Sequence, residues 1–265
     1  MHTVSIIIVN YKTPELVCDC IRSVETHVTI PHEIIVVESA PEAPLTKPPI
    51  TQQTKFTHIP TKRRRGFGEA NNVGASSAKG DYLWLLNSDT LVPNGRVNSL
   101  FSLMDEHPEL GLVTPVLFND QELHQRQSDF YGYFQRFRTL LTRTLRPNIE
   151  WDAAELPEFI ASEQITAAAM IIRAELFRKL GGFDERYFMY MEDDDLCYRA
   201  HQIGAGTAIA TRAAIVHLQG RSIAYSRERK RYYYTSQRLF WETHYGWWPA
   251  SLMRLLRIPL RLLKG

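Results

Sequence analysis

Val4-Ser5-Ile6-Ile7-Ile8-Val9-Asn10-Tyr11-Lys12-Thr13-Pro14 decides the fold class. From Val4 to Val9 the run is apolar and mostly β-branched, the pattern of a strand covered on both faces. Asn10 ends it with a polar side chain. Thr13-Pro14 then supplies an N-cap and a first helical residue, so a helix is predicted to about Val28. Working outward, Glu33–Val37 is a second apolar run that stops at Glu38, and a Pro-rich loop spans Ala40–Pro49. Phe56–Ile59 reads as a short third strand. Gly66-Phe67-Gly68 opens a helix to about Ala78, and Tyr82–Leu86 is a fourth strand ending at Asn87-Ser88-Asp89. A further helix and strand carry the chain to Phe118. Strands alternating with helices imply an α/β fold with a mostly parallel sheet.

In such sheets ligands bind beyond the carboxyl ends of the strands. Asn10, Glu38 and Asn87–Asp89 end three of these strands, so a polar site is expected on that rim. From Asn119 to Glu163 the pattern weakens, and aromatic and Arg residues interleave between Phe130 and Arg138. A partly ordered insertion is the reading preferred there over an acceptor loop. Regularity returns with Ile165–Ile172, a helix over Glu175–Leu180, the turn Gly181-Gly182-Phe183-Asp184, and a helix that begins at the acidic run Glu192-Asp193-Asp194-Asp195.

At 265 residues and 44% hydrophobic, the chain can bury one sizeable core, or a core plus a small appendage. Its three cysteines cannot all pair, which fits reduced thiols in a cytoplasmic protein. No basic segment or cleavage site accompanies Val4–Val9, so that run is a first strand and not a signal peptide. No apolar run reaches the length of a spanning helix. The net charge of +2 conceals an asymmetry, because residues 221–265 hold ten basic side chains and two acidic ones. A basic tail on an acidic body points to an anionic surface as partner, and not to nucleic acid.

Four groups of residues can carry chemistry. Asp89, emerging from an apolar strand, offers a carboxylate to a hard divalent cation, although Asn, Ser and Asp are also ordinary turn residues. Glu192–Asp195 puts four carboxylates at a helix start, where dipole capping is the plain alternative. The flanking Tyr187, Phe188, Tyr190 and Met191 desolvate that run, which suits a proton acceptor. His217 ends the strand-like Ala214–Val216 and, paired with a distant Asp, becomes a candidate metal ligand. Arg63-Arg64-Arg65 joins a basic run to the Gly66-Phe67-Gly68 helix start, an anion site in principle and a solvated basic run otherwise.

The order of these segments is more specific than any one of them. Val4–Tyr11, Ile35-Val36-Val37-Glu38-Ser39 and Gly66-Phe67-Gly68-Glu69-Ala70-Asn71-Asn72-Val73-Gly74 resemble the nucleotide-binding half of family 2 glycosyltransferases. Leu85-Leu86-Asn87-Ser88-Asp89-Thr90 resembles the strand and acidic metal motif of that family. Gly181 to Cys197 is similar to the acceptor-side motif of its rhamnosyltransferase-like branch. The resemblance spans roughly residues 3–245. It implies a GT-A fold, Rossmann-like with flanking helices, a nucleotide-diphosphate-sugar donor, Mg²⁺ or Mn²⁺, and inversion at the anomeric carbon.

Residue by residue, the resemblance places Asp193 as general base with Glu192 beside it, and Asp89 and His217 on the metal. Asn10, Glu38, Arg65, Gly66, Asn71 and Asn87 fall in the donor-binding segments. Glu38 stands where the family usually has Asp, and Asn87 replaces the first acid of the metal motif. The branch favours dTDP-rhamnose, with a UDP-sugar as the alternative donor. A glycan or lipid-linked glycan is the expected acceptor.

The expected organisation is a catalytic domain over 1–224, divided into a donor half (1–118) and an acceptor half (119–224), followed by an amphipathic helical tail over 225–265. Trp247-Trp248-Pro249 and the apolar and basic residues after it read as an interfacial membrane helix over 247–265, placing the protein at the inner face of the cell membrane. A helix packed on the body, or on a second copy in a homodimer, is the competing reading. A nucleotidyltransferase or an NAD-dependent enzyme would need a Gly-rich loop directly after the first strand, and Asn10–Pro14 is not one. A catalytically silent nucleotide- or glycan-binding module is the alternative from another class.

Overall fold

The computed structural model describes residues 2–46, 48, 50, 54–119, 156–218, 227–248 and 251. The aromatic and Arg-rich stretch 130–138 and most of the tail after Trp248 lie outside them. Strand β1 (Val4–Asn10) leads through helix α1 (Pro14–His27) to β2 (His32–Glu38) and β3 (Lys55–Ile59). Helix α2 (Phe67–Ser77), β4 (Tyr82–Asn87), the two-residue β5 (Thr90–Leu91), a 3₁₀ turn, α3 (Ser99–Glu106) and β6 (Leu110–Phe118) follow. After β7 (Phe159–Ala161) come β8 (Ala169–Arg173), α4 (Ala174–Lys179), α5 (Glu192–Gln202), β9 (Gly206–His217) and α6 (Arg227–Tyr245).

These strands form one sheet in the order β3-β2-β1-β4-β8-β6-β9-β5, with β7 also on β9. Six strands (β1, β2, β3, β4, β6 and β9) run one way, and β5, β7 and β8 run against them. The α/β architecture and mostly parallel sheet agree with the sequence. The antiparallel β8, inserted between β4 and β6, has no signature in its own residues.

Both faces of the sheet are covered, which is why β1 and β4 are nearly continuous apolar runs. Ile6, Ile8, Trp84 and Leu86 face α1 and α3, packing with Val17, Ile21, Leu100 and Met104. Ile7, Leu83 and Leu85 face the other way, into Ala70, Phe177, Leu196 and Ala200. The alternation follows the two-residue period of a strand. Each such buried aliphatic side chain contributes roughly 1.5–3 kcal/mol. Two boundaries differ from expectation. Thr13 sits at the N-cap of α1 but makes no side-chain cap bond, its hydroxyl lying 3.1 Å from that of Ser88. The strand expected from Ile165 begins only at Ala169.

Candidate active site

Parallel register builds the first part of the site. Asn10 pairs with Glu38 across β1 and β2, and Val9 with Asn87 across β1 and β4, so three polar strand ends share one rim. Glu38 is almost fully buried. Its Oε2 accepts from Asn10 Nδ2 at 2.8 Å, and its Oε1 from the Leu45 N–H at 2.9 Å and from His58 Nε2 at 2.8 Å. The carboxylate therefore faces inward, to these three partners. Buried charge is tolerated only when hydrogen-bonded in this way. Leu45 and His58 carried no sign of this role in the sequence.

Beyond β4 the chain turns sharply. Thr90 Oγ1 donates to Asn87 O at 2.7 Å, and β5 pairs antiparallel with the end of β9, setting Thr90 opposite His217. The Leu218 N–H donates to Asp89 O at 2.9 Å. This pairing brings His217 Nε2 to 3.3 Å from Asp89 Oδ1 and 3.5 Å from Asn87 Nδ2. Beneath them lies Cys20, whose thiol is pushed up to about 12, chiefly by burial, and stays protonated. Among the described residues no cluster of three or more His, Cys, Asp or Glu side chains could hold a metal. Asp89 and His217 still suit a hard cation. Mg²⁺ in particular is often bound by one or two carboxylates, with substrate phosphates and water completing its shell, and Asp89 offers one such carboxylate.

The Gly-rich segment has a packing role. A Cβ at Gly66 would come within 2.7 Å of Phe188 O, and the Phe67 N–H donates to that same oxygen at 3.0 Å. A Cβ at Gly68 would lie 2.9 Å from Phe183 Cβ and 3.7 Å from Glu192 Cβ. Glycine here lets the start of α2 touch the turn that leads into α5. Asn72 strengthens the join: its Oδ1 accepts from the Phe183 N–H and its Nδ2 donates to Phe183 O, at 2.8 and 2.9 Å. Asn71 is buried and donates back to Phe67 O in its own helix. Arg65 pairs with Glu69 at 2.6 Å, its N–H donates to Ser39 O, and its carbonyl accepts from Ser39 Oγ.

The four acids at the start of α5 have separate environments. Glu192, Asp194 and Asp195 are buried, and Asp193 is only partly so. Burial, reinforced by the neighbouring Asp193 charge, holds the Glu192 carboxyl well above the usual range. Asp195 is doubly engaged, with Oδ2 to Arg199 Nε at 2.8 Å and Oδ1 to His244 Nε2 at 2.7 Å. Asp193 Oδ2 accepts from the Ala167 N–H at 3.3 Å, and the carbonyl of the next residue, Ala168, accepts from the Asn87 N–H at 2.9 Å. One dipeptide thus bridges the metal-type motif and the acidic helix start. Its role left no trace in the sequence, because it acts through backbone atoms.

A left-handed pair precedes α5: Tyr190 and Met191 have φ of 70° and 69°. Such conformations cost of order 1–3 kcal/mol each and persist only where their surroundings over-determine them.

Known proteins match this arrangement. The family described as "Glycosyl transferase family 2" matches residues 5–155. The chain belongs to the family 2 glycosyltransferases. An N-acetylglucosaminyl-diphospho-decaprenol L-rhamnosyltransferase of Mycobacterium tuberculosis is 24% identical over 228 residues, covering 77% of this chain and 73% of the relative. The rhamnosyltransferase WbbL of Escherichia coli K12 is 27% identical over 153 residues, covering 52% and 55%. Among solved structures, GalNAc-T7 with UDP, GalNAc and Mn²⁺ superposes with a TM-score of 0.59 at 16% identity, over 82% of this chain and 44% of that one. The mannosyltransferase PcManGT of Pyrobaculum calidifontis, in complex with GDP-Man and Mn²⁺, gives 0.54 at 18% identity, over 82% and 57%. At such identities the superpositions establish the GT-A fold.

Proposed function

We propose that this glycosyltransferase moves rhamnose from dTDP-rhamnose to a hydroxyl of a lipid-linked glycan, with inversion. The observation that best supports the transfer chemistry is the Ala167–Ala168 bridge, which links Asp193 to Asn87. Asp193, the least buried of the four acids, takes the proton of the acceptor hydroxyl. The acceptor oxygen forms its bond to the anomeric carbon as the bond to the diphosphate oxygen breaks, and the nucleotide diphosphate leaves with the electron pair. Asp89 and His217 would hold Mg²⁺ or Mn²⁺, which supplies positive charge against the leaving diphosphate. Burial raises the Glu192 carboxyl and disfavours its charged form, which leaves the base role to its neighbour.

The rhamnosyl group follows the names of both rhamnosyltransferase relatives, and the lipid-linked acceptor follows that of the Mycobacterium tuberculosis enzyme. The test is nucleotide release from dTDP-rhamnose and from UDP-sugars, with and without Mn²⁺. Metal-dependent turnover of dTDP-rhamnose is expected. Turnover of a UDP-sugar alone overturns the donor, and turnover of none favours a silent binding module.

A second reading concerns the tail. Trp247 and Trp248 are 69% and 65% exposed, with rings stacked at 5.6 Å. Among the described residues no helix is long and apolar enough to cross a membrane. An exposed Trp pair leading into a basic, apolar tail suits a membrane surface, reached from the cytoplasmic side. Sedimentation with anionic liposomes should pull down the full chain and not a chain ending at Tyr245. Equal partitioning would leave a second copy of the chain as the partner.

A further inference from the structure

Helix α6 lies against the 186–195 segment along most of its length, and its contacts concentrate on the strained turn. Ser236 Oγ donates to Met189 O at 2.8 Å. Arg229 hydrogen-bonds the Tyr190 hydroxyl, and the Tyr233 ring meets that of Tyr190 edge-on at 5.7 Å. Phe240 packs with Tyr187 and Met191 in a small apolar cluster of its own. At the start of α6, the Phe188 and Tyr232 rings lie 4.7 Å apart. Arg64 stands 5.0 Å from Phe188 and from Tyr11, and pairs with Glu228 at 3.1 Å. At its end, His244 Nε2 meets the buried Asp195 Oδ1 at 2.7 Å, with only 8% of the His244 side chain exposed.

These contacts do more than attach a helix. Asp193 and Asp195 are two residues apart on α5, so they project about 200° apart around its axis. Together with the core packing of Leu196 and Ala200, holding Asp195 from one side constrains the roll of α5, and with it the direction of Asp193 on the other. The left-handed Tyr190–Met191 pair sets where α5 begins, and left-handed non-glycine residues relax unless held. The turn and Asp195, which act on the Asp193 position alongside the Ala167 bridge, are thus held by the same helix.

We propose that α6 is a positioning element of the active site and that His244 is its principal contact, acting through Asp195. The inference rests on Asp193 being the base, and it adds a residue that never touches substrate. His244→Ala removes the bond and leaves Asp195 with Arg199. His244→Gln keeps an N–H that can reach the same oxygen.

The experiment measures nucleotide release from dTDP-rhamnose with Mn²⁺ and a lipid-linked N-acetylglucosaminyl diphosphate acceptor, alongside amide hydrogen exchange. In His244→Ala, kcat should fall on the order of 10–100-fold, because displacing a reacting group by about an ångström has effects of that size. The donor KM should stay within about twofold of the parent, and exchange should rise in 187–196 but not in β1 or β4. His244→Gln should recover most of kcat. Unchanged kcat and exchange in a folded His244→Ala overturn the proposal. So does a donor KM that rises in step with the loss of kcat, or a Gln variant no better than Ala. If His244→Ala does not fold, Ser236→Ala, which removes only the bond to Met189 O, should show the same pattern to a smaller extent, and normal kcat there is equally fatal. Asp193→Asn serves as reference. Should it stay active, the base assignment fails and the positioning inference with it. An inactive Asp193→Asn beside a fully active His244→Ala sinks the positioning inference alone.

Discussion

The strand-end rim and the start of α5 are both acidic, yet they are built in opposite ways. Asn10, Glu38 and Asn87 are placed by strand register, so each is fixed by the apolar residues just before it. Asp193 is placed by a left-handed turn, a backbone bridge through Ala167, and a helix that begins more than thirty residues later. A rim made by register tolerates change at its tips, because the sheet beneath is set independently. A helix start held by distant contacts does not. Substitutions of similar chemistry should therefore act differently in the two regions.

The largest difference is expected at the acids themselves. Asp193→Asn should lower kcat by roughly 10²–10⁴-fold, the range for losing a general base, with donor affinity preserved. On the donor side, chelation should abolish transfer and Mn²⁺ restore it. Asn87→Ala should raise the Mn²⁺ needed for half-maximal rate on the order of 10–100-fold, as for other groups that orient a metal ligand. Rates at saturating Mn²⁺ should stay near the parent. A metal requirement unchanged by Asn87→Ala, together with a lowered saturating rate, would move that residue out of the metal's surroundings and onto the substrate.

Gly74 in α2 and Gly66 at its N-cap sharpen the contrast at a smaller scale. A Cβ at Gly74 would lie 2.5 Å from Ile7 Cγ2, in the core, whereas one at Gly66 would meet the Phe188 carbonyl. Either Ala substitution overpacks its site and should cost about 1–3 kcal/mol in denaturant unfolding. Only Gly66→Ala should also depress kcat, since it pushes on the turn that carries Asp193. Equal kcat losses in both variants would mean that general destabilisation, not the turn, sets activity.

The same contrast explains what could be read from the sequence. The α/β order, the rim and the family were legible because strand periodicity and strand ends are local properties. Asp89 and His217 were candidates for the same reason: each closes or follows an apolar run. The inward fate of Glu38 was not legible, since it depends on Leu45 and His58, brought in by a loop and an edge strand. The late start of β8 was hidden too. Ala167 and Ala168 look like strand residues, but their N–H and carbonyl are committed to Asp193 and Asn87. Thr13 has the composition of a cap, yet its hydroxyl faces Ser88 while Asn10 Oδ1 accepts from the Thr13 N–H at 3.0 Å. Which of four consecutive acids remains accessible is a tertiary fact, decided by Arg199 and His244 on one side and by Gly68 on the other.

Activity should be least affected at Glu192, where the expected effect is on stability. Its carboxyl is raised by burial and by the Asp193 charge, so the folded protein keeps a proton that the unfolded chain releases near the ordinary value of 4.5. Above that value the folded state binds more protons than the unfolded one, and stability falls as pH rises toward the folded-state pKa. Glu192→Gln removes this term while retaining shape and a hydrogen-bonding head group. Melting temperatures of the two proteins should diverge as pH rises above about 5, with the variant gaining on the parent. Parallel curves would mean that Glu192 is ionised in the folded protein. It would then compete with Asp193 for the acceptor proton, and the division of roles within the acidic run would have to be redrawn.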